Sequence, residues 1–327
     1  MKRYLNLLKI SIYTTLMLSA YQSMAGDGPD VEKQKTYSKT YSISADDNIS
    51  INNQFGEVKV IGWNKNEVKV DVIIIGKSET DERAQEILDR ISIQDGKNSN
   101  GVYFKTNMNN DHKNREGRKK YKDEKMQINY QVYMPVSNSL LLENQFGATI
   151  IPDMSGKVEI SSRFGTLTTG KLTNVKKINI EFGSGNIESI SNGTLVVKFS
   201  RAIINKLDGS VDAIFEHSSG VKLGVENSAK ALNVTSAFST LYLDITKNLS
   251  ATFEINTSFG GLSNKTDFDI KEDEKSKGRN PNFNHSYSGK SGSGNTAMRI
   301  SSSFSQIKIG HDLTMDLKEE KKDKKKT

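Results

Sequence analysis

The chain has 327 residues, no cysteine, four prolines and a formal net charge of +7. Without cysteine there is no disulfide framework and no thiol for a lipid anchor, so packing and backbone pairing alone must hold the fold. The positive excess sits partly in the first segment and partly in a Lys-rich tail (312–327), which reads as a solvated, disordered end rather than a nucleic-acid arm.

Residues 1–25 have the layout of a signal peptide: Lys2, Arg3 and Lys9, an apolar stretch from Ile10 to Ala20, and small residues at Ser23 and Ala25. The stretch is too short and interrupted for a membrane span. The expectation is therefore an exported protein, periplasmic or extracellular at the cell surface, with no integral span in the mature chain. A polar linker (26–35), expected to be disordered, follows, then an N-terminal region (36–139) with strand-like runs at 36–43, 49–53, 57–61 and 68–75. One helix is predicted next. Ser78 or Thr80 can cap it, Asp81 and Glu82 suit its positive end, and Ala84, Ile87, Leu88 and Ile91 share a face. Two alternating strands, 101–108 and 126–134, are predicted to form a hairpin whose tip, the charged stretch 109–125, is exposed.

From 140 to 311 a phrase recurs: an aliphatic residue, a spacer, Asn or Ser, a spacer, then Phe followed by Gly or Ser. Its phenylalanines are Phe146, Phe164, Phe182, Phe199, Phe238, Phe259 and Phe304, with Phe55 heading an earlier copy. A degenerate copy near Phe215 keeps the beat with Ser219 in the aromatic position. From Phe146 to Phe259 the period is roughly 17–21 residues, the signature of stacked single-coil repeats. The fold expected is all-β: a right-handed parallel β-solenoid (β-helix), joined to the N-terminal strands, helix and hairpin. A polar stretch at 271–295 is expected to bulge as a loop.

Parity along a strand puts the aliphatic residue, the Asn or Ser and the Phe on one side. Phe55, Phe146, Phe164, Phe182, Phe199, Phe238, Phe259 and Phe304 are thus expected to form an interior structural ladder, beside a small polar ladder of Asn53, Asn144, Ser162, Ser236, Thr257 and Ser302. An aromatic stripe that stacks on sugars would need the rings to face outward. The residues before Phe point out, so Arg163, Glu181 and Lys198 form a surface strip of alternating charge, read either as charge-compatible stacking or as a catalytic or ligand strip.

No catalytic, cofactor-binding or metal-binding residue is assigned. The four histidines are scattered, the acidic run 267–273 lacks the Gly and terminal Glu of a calcium loop, and the Gly-Ser strings precede no helix.

The order of NQFGEVKV (53–60), DERAQEILDRI (81–91), YQVYMP (130–135) leading to LENQFG (142–147), and SGSG (291–294) before Met298 resembles the DUF4097 family. These are exported bacterial β-strand-repeat proteins known as putative adhesins, related to the head-GIN-domain proteins of Bacteroidetes. The resemblance implies a right-handed parallel β-solenoid outside the cytoplasm and transfers no catalytic residue and no cofactor. The function expected is a non-enzymatic envelope or surface protein, adhesin-like, binding or scaffolding an envelope protein, a glycan or a cell-surface polymer, and not nucleic acid. The alternatives are an accessory or sensor element of envelope-stress signalling and a β-helix polysaccharide lyase or hydrolase.

Overall fold

A computed structural model describes residues 31–109, 124–273 and 283–315. The signal-like segment, most of the expected hairpin tip and most of the Lys-rich tail lie outside these residues, and the disordered linker expected at 26–35 is corrected at 31–35, which begin a strand. Strands dominate: β1 (Val31–Ser42), β2 (Asn48–Gln54), β3 (Val58–Trp63), β4 (Glu67–Ser78), then α1 (Asp81–Asp89), β5 (Ile91–Asn98), β6 (Gly101–Met108) and β7 (Lys125–Pro135). The phrases supply β8 (Ser139–Gln145), β9 (Ala148–Ile151), β10 (Val158–Arg163), β11 (Thr166–Leu172), β12 (Val175–Glu181), β13 (Ser184–Lys198), β14 (Arg201–Glu216) and β15 (Gly220–Ala237). The chain ends with β16 (Thr240–Ile245), β17 (Ala251–Ser258), β18 (Gly261–Asn264), β19 (Ile270–Glu272), β20 (Asn284–Ser291), β21 (Thr296–Ser303) and β22 (Gln306–Gly310).

These strands form one large, nearly closed, barrel-like sheet. Two parallel ribbons make up most of it. In the first, β6, β2, β8, β10 and β12 are followed by the second halves of β13, β14 and β15, then β21 and β17. In the second, β7, β3, β9 and β11 lead through the first halves of β13, β14 and β15 to β16, β22 and β18. Aliphatic rows register across the rungs, as Leu142, Ile160, Ile178 and Leu195 do, and a single core cluster runs from Ile43 to Ile309.

The sheet is mixed, not purely parallel. At the N-terminal end β1, β4 and β7 pair antiparallel, as do β5 and β6. The expected hairpin does not form: 101–108 joins β2 in one ribbon and 126–134 joins β3 in the other. Strand β6 lies instead between β5 and β2, and β7 between β4 and β3. The polar stretch 271–295 is also corrected. Residues 284–291 form β20, antiparallel to β17, because covering a sheet edge takes backbone groups and few apolar side chains. Chain order and rung order part at the same end, where β21 slots between β15 and β17.

Thr80 caps α1, accepting a hydrogen bond from the Arg83 amide, and Ala84, Ile87 and Leu88 are buried. The helix lies close on β4, where a Cβ at Gly76 would stand 2.8 Å from the Ala84 carbonyl oxygen.

Candidate binding surface

Each phrase leaves its strand at the phenylalanine. Phe55, Phe146, Phe164, Phe182, Phe199, Phe238, Phe259 and Phe304 all have φ between 49° and 64°, the left-handed region. Strand parity ends there, so the ring swings out of the row that holds Ile178 and Ile180 and comes to lie outside. The interior ladder expected from parity is therefore wrong: Phe146 is 45% exposed and Phe259 54%. The stripe that faces outward is the arrangement actually adopted.

The rings stack with their planes parallel and their centres offset. Phe164 and Phe182 are 4.9 Å apart with planes 5° from parallel, and the same spacing, 4.8–5.0 Å, runs from Phe55 to Phe283. Ten rings in nine steps make a stripe roughly 44 Å long. In spatial order they are Phe55, Phe146, Phe164, Phe182, Phe199, His217, Phe238, Phe304, Phe259 and Phe283. In the degenerate copy it is His217, not Ser219, that takes the aromatic place, with φ 50° like its neighbours. The signal in the sequence is a planar ring two residues after buried Phe215.

Bulky residues seldom take positive φ, so nine corners of this kind need repayment. Backbone bonds supply part of it. The amide of Phe164 donates to the Glu181 carbonyl at 3.0 Å, that of Phe182 to Lys198 at 3.2 Å, and that of His217 to Ala237 at 3.0 Å. Stacking supplies the rest, at about 0.5–1.5 kcal/mol per aromatic contact. The residue after the ring is Gly or Ser for reasons of approach, not bending. A Cβ at Gly165 would stand 1.9 Å from the Gly147 carbonyl oxygen. Where Ser replaces Gly it is buried and bridges rungs: Ser239 Oγ accepts from the Ser218 amide at 3.0 Å and donates to the Ala237 carbonyl at 2.8 Å.

Inside the corner lies the small polar row. Asn53 Nδ2 donates to Asn144 Oδ1 at 3.2 Å, and Asn144 Nδ2 to the Gly56 and Ala148 carbonyls at 3.1 and 3.0 Å. Farther along the row Ile180, Val197 and Phe215 take the polar residue's place.

Beside the stripe runs the strip of the residues that precede each ring. Arg163 Nε lies 3.2 Å from Glu181 Oε2, and Lys198 Nζ lies 2.9 Å from Glu216 Oε2. Glu181 also accepts from Asn179 Nδ2 at 3.1 Å. The strip thus alternates Arg163, Glu181, Lys198, Glu216 along consecutive rungs. Exposed pairs of this kind contribute under about 1 kcal/mol each. Grooves border the rings: one of about 640 Å3 runs past Phe164, Phe182 and Phe199 to Thr166, Ser184 and Arg201. Another, of about 680 Å3, lies by Phe55 and Phe146 with Lys77 and Lys125.

Ring faces are covered by neighbouring rings along the stripe, so it offers apolar edges to a partner. His285 Nδ1 lies 2.7 Å from Glu272 and His311 Nδ1 2.6 Å from the Ile245 carbonyl. Among the described residues no cluster of three His, Cys, Asp or Glu is placed to hold a metal ion, and no helix is long and apolar enough to cross a membrane.

No family model matches the chain, and no curated protein matches it in sequence. Solved structures similar to it include a putative adhesin from Bacteroides fragilis, 11% identical, covering 84% of this chain and 97% of that one with a TM-score of 0.39. A putative cell adhesion protein from Clostridium sporogenes is 12% identical over 86% of this chain and 100% of that one, with a TM-score of 0.27. A putative lipid binding protein from Parabacteroides distasonis is 11% identical over 84% of this chain and 96% of that one, with a TM-score of 0.31.

Proposed function

We propose that the protein is an exported, non-enzymatic binding or scaffold protein of the cell envelope or surface, of the DUF4097 kind. It is built as a right-handed parallel β-solenoid and engages its partner through the aromatic stripe. The observation that carries this is the row of ring edges held in water. Large apolar side chains leave the surface when nothing requires them there, and a contiguous exposed patch marks an interaction site. Here the backbone adopts a costly conformation at every rung to keep the rings out. One parallel rung per phrase supports the solenoid, and the signal-like first segment supports export. The strip of Arg163, Glu181 and Lys198 serves on this reading as a charged border whose carboxylate is already paired, which suits a contact surface better than acid–base chemistry.

The test is retention of envelope fractions (outer-membrane material, peptidoglycan and surface polysaccharide) on immobilised protein. Asn accepts left-handed φ, so Phe164→Asn with Phe182→Asn keeps the corner and removes the edges. Saturable retention by the parent, reduced at least tenfold in the double variant, is expected. Retention by neither protein, or equally by both, contradicts the proposal.

A further inference from the structure

The charges beside the stripe are arranged in a way that identifies one partner. Counting rungs from Phe55, the strip reads Gln54, Gln145, Arg163, Glu181, Lys198, Glu216, Ala237, Ser303 along eight rungs in register. Four alternating charges occupy the middle and uncharged residues flank them on both sides. Such a sequence is its own complement when reversed. Turned end for end, Arg163 meets Glu216, Glu181 meets Lys198, and every remaining position meets a neutral residue. A single-sign polymer would meet repulsion at every second rung.

We propose that a second copy of this chain docks antiparallel on the stripe, about a twofold axis between the Phe182 and Phe199 rungs. The inference rests on the stripe being a contact surface and names the partner for its first eight rungs. An in-plane twofold axis across the ribbon lays stripe on stripe and strip on strip. Phe182 then faces Phe199 of the other copy, Phe164 faces His217, Phe146 faces Phe238, and Phe55 faces Phe304. Ring edges meet ring edges, the one surface that the stacks leave open.

The row on the other side of the rings is compatible. Arg201 comes opposite Ser184, and Glu57 opposite Gln306. Eight rungs at 4.8–5.0 Å by three side-chain columns cover roughly 700 Å2 per copy, close to the ~800 Å2 per partner of a standard specific interface. Within one copy the pairs Arg163–Glu181 and Lys198–Glu216 already form, so the second copy's charges complete a two-row network in which each ion has partners along and across the interface.

The experiment uses the purified chain and sedimentation equilibrium. Arg163→Glu with Lys198→Glu makes the strip all acidic, and Glu181→Lys with Glu216→Lys makes it all basic. The parent is expected to dimerise, more tightly at low salt. Each double variant alone should dissociate at least tenfold more readily, and an equimolar mixture should recover the dimer. A monomeric parent, variants that dimerise like the parent, or a mixture that stays monomeric overturns the proposal.

If either variant loses its fold by circular dichroism, unique thiols decide instead. Gln145→Cys mixed with Ala237→Cys should cross-link under mild oxidation, and each alone should not. No cross-link in the mixture is the contrary result. Retention of envelope material is read separately, so either result can fail while the other stands.

Discussion

Phe182 sits at φ 54° with both faces of its ring covered and nearly half of its surface in water. Two effects oppose each other at this position. A left-handed bulky residue costs about 1–2 kcal/mol, and two stacked faces return about 0.5–1.5 kcal/mol each. The balance predicts an unusual order of variants. Phe182→Val loses both stacks and adds a β-branched chain in the left-handed region, so it should destabilise by about 3 kcal/mol in urea unfolding. Phe182→Asn loses the stacks but also sheds part of the left-handed cost, so it should cost about half of that or less. Valine tolerated better than asparagine would show that the corner is not left-handed.

The next residue gives a second case: Gly165→Ala drives a Cβ to within 1.9 Å of the Gly147 carbonyl oxygen, whereas Gly261→Ala meets only the flexible Gln306 amide at 3.7 Å. The first should cost about 3 kcal/mol or more, and the second under about 0.5 kcal/mol. Equal effects would contradict the packing. These corners show where sequence reading stops. The phrase Ile178-Asn-Ile-Glu-Phe182 displays its period and its inward aliphatics, but parity is a property of extended backbone, and nothing in the letters says that the backbone ceases to be extended at Phe182.

Strand β1 covers the antiparallel N-terminal end and is tied to β5 by side chains. The Tyr41 hydroxyl donates to the Asp95 carboxylate, Lys35 Nζ donates to the Ile91 carbonyl at 3.4 Å, and Lys97 Nζ to the Ser42 carbonyl at 2.9 Å. The hydrogen bond to Asp95, then burial and the Asp95 charge, push the Tyr41 hydroxyl up to about 12. Its folded value lies above the unfolded one near 10, so this contribution is complete below about pH 10 and declines as pH rises towards 12. Alkaline thermal unfolding should therefore lose stability across that window, and Tyr41→Phe should flatten the slope. An unchanged slope would mean that the tie does not hold β1.

At the opposite end, β21 lies between β15 and β17 although it follows both in sequence. A chain ending at Asn295 would leave a gap where β21 belongs. Limited proteolysis should then cut within 246–273 while sparing β8 to β15; a truncated chain as resistant as the parent would contradict the rung order. The helix and the repeats were legible in sequence because period and caps are local. The fates of 101–108, 126–134 and 284–291 were not, because a strand's partner is chosen by competition among edges far apart in the chain.

At the scale of the molecule, one aliphatic core runs the length of the two ribbons and one aromatic stripe runs the length of their outer corner. Both come from the same phrase: its first residue faces in and its aromatic residue faces out. The binding role and the antiparallel pairing both require the rings to be outside, and the account turns on that orientation. The absence of cysteine makes it directly measurable, since any introduced thiol is unique. Phe259 lies beyond the eight rungs assigned to the second copy, and Ile255 is its buried neighbour two inward positions earlier. Phe259→Cys should react with a thiol reagent in the native protein at nearly the rate of the unfolded chain, and Ile255→Cys should be protected by orders of magnitude. Equal protection of both thiols would put the ring inside and contradict the account.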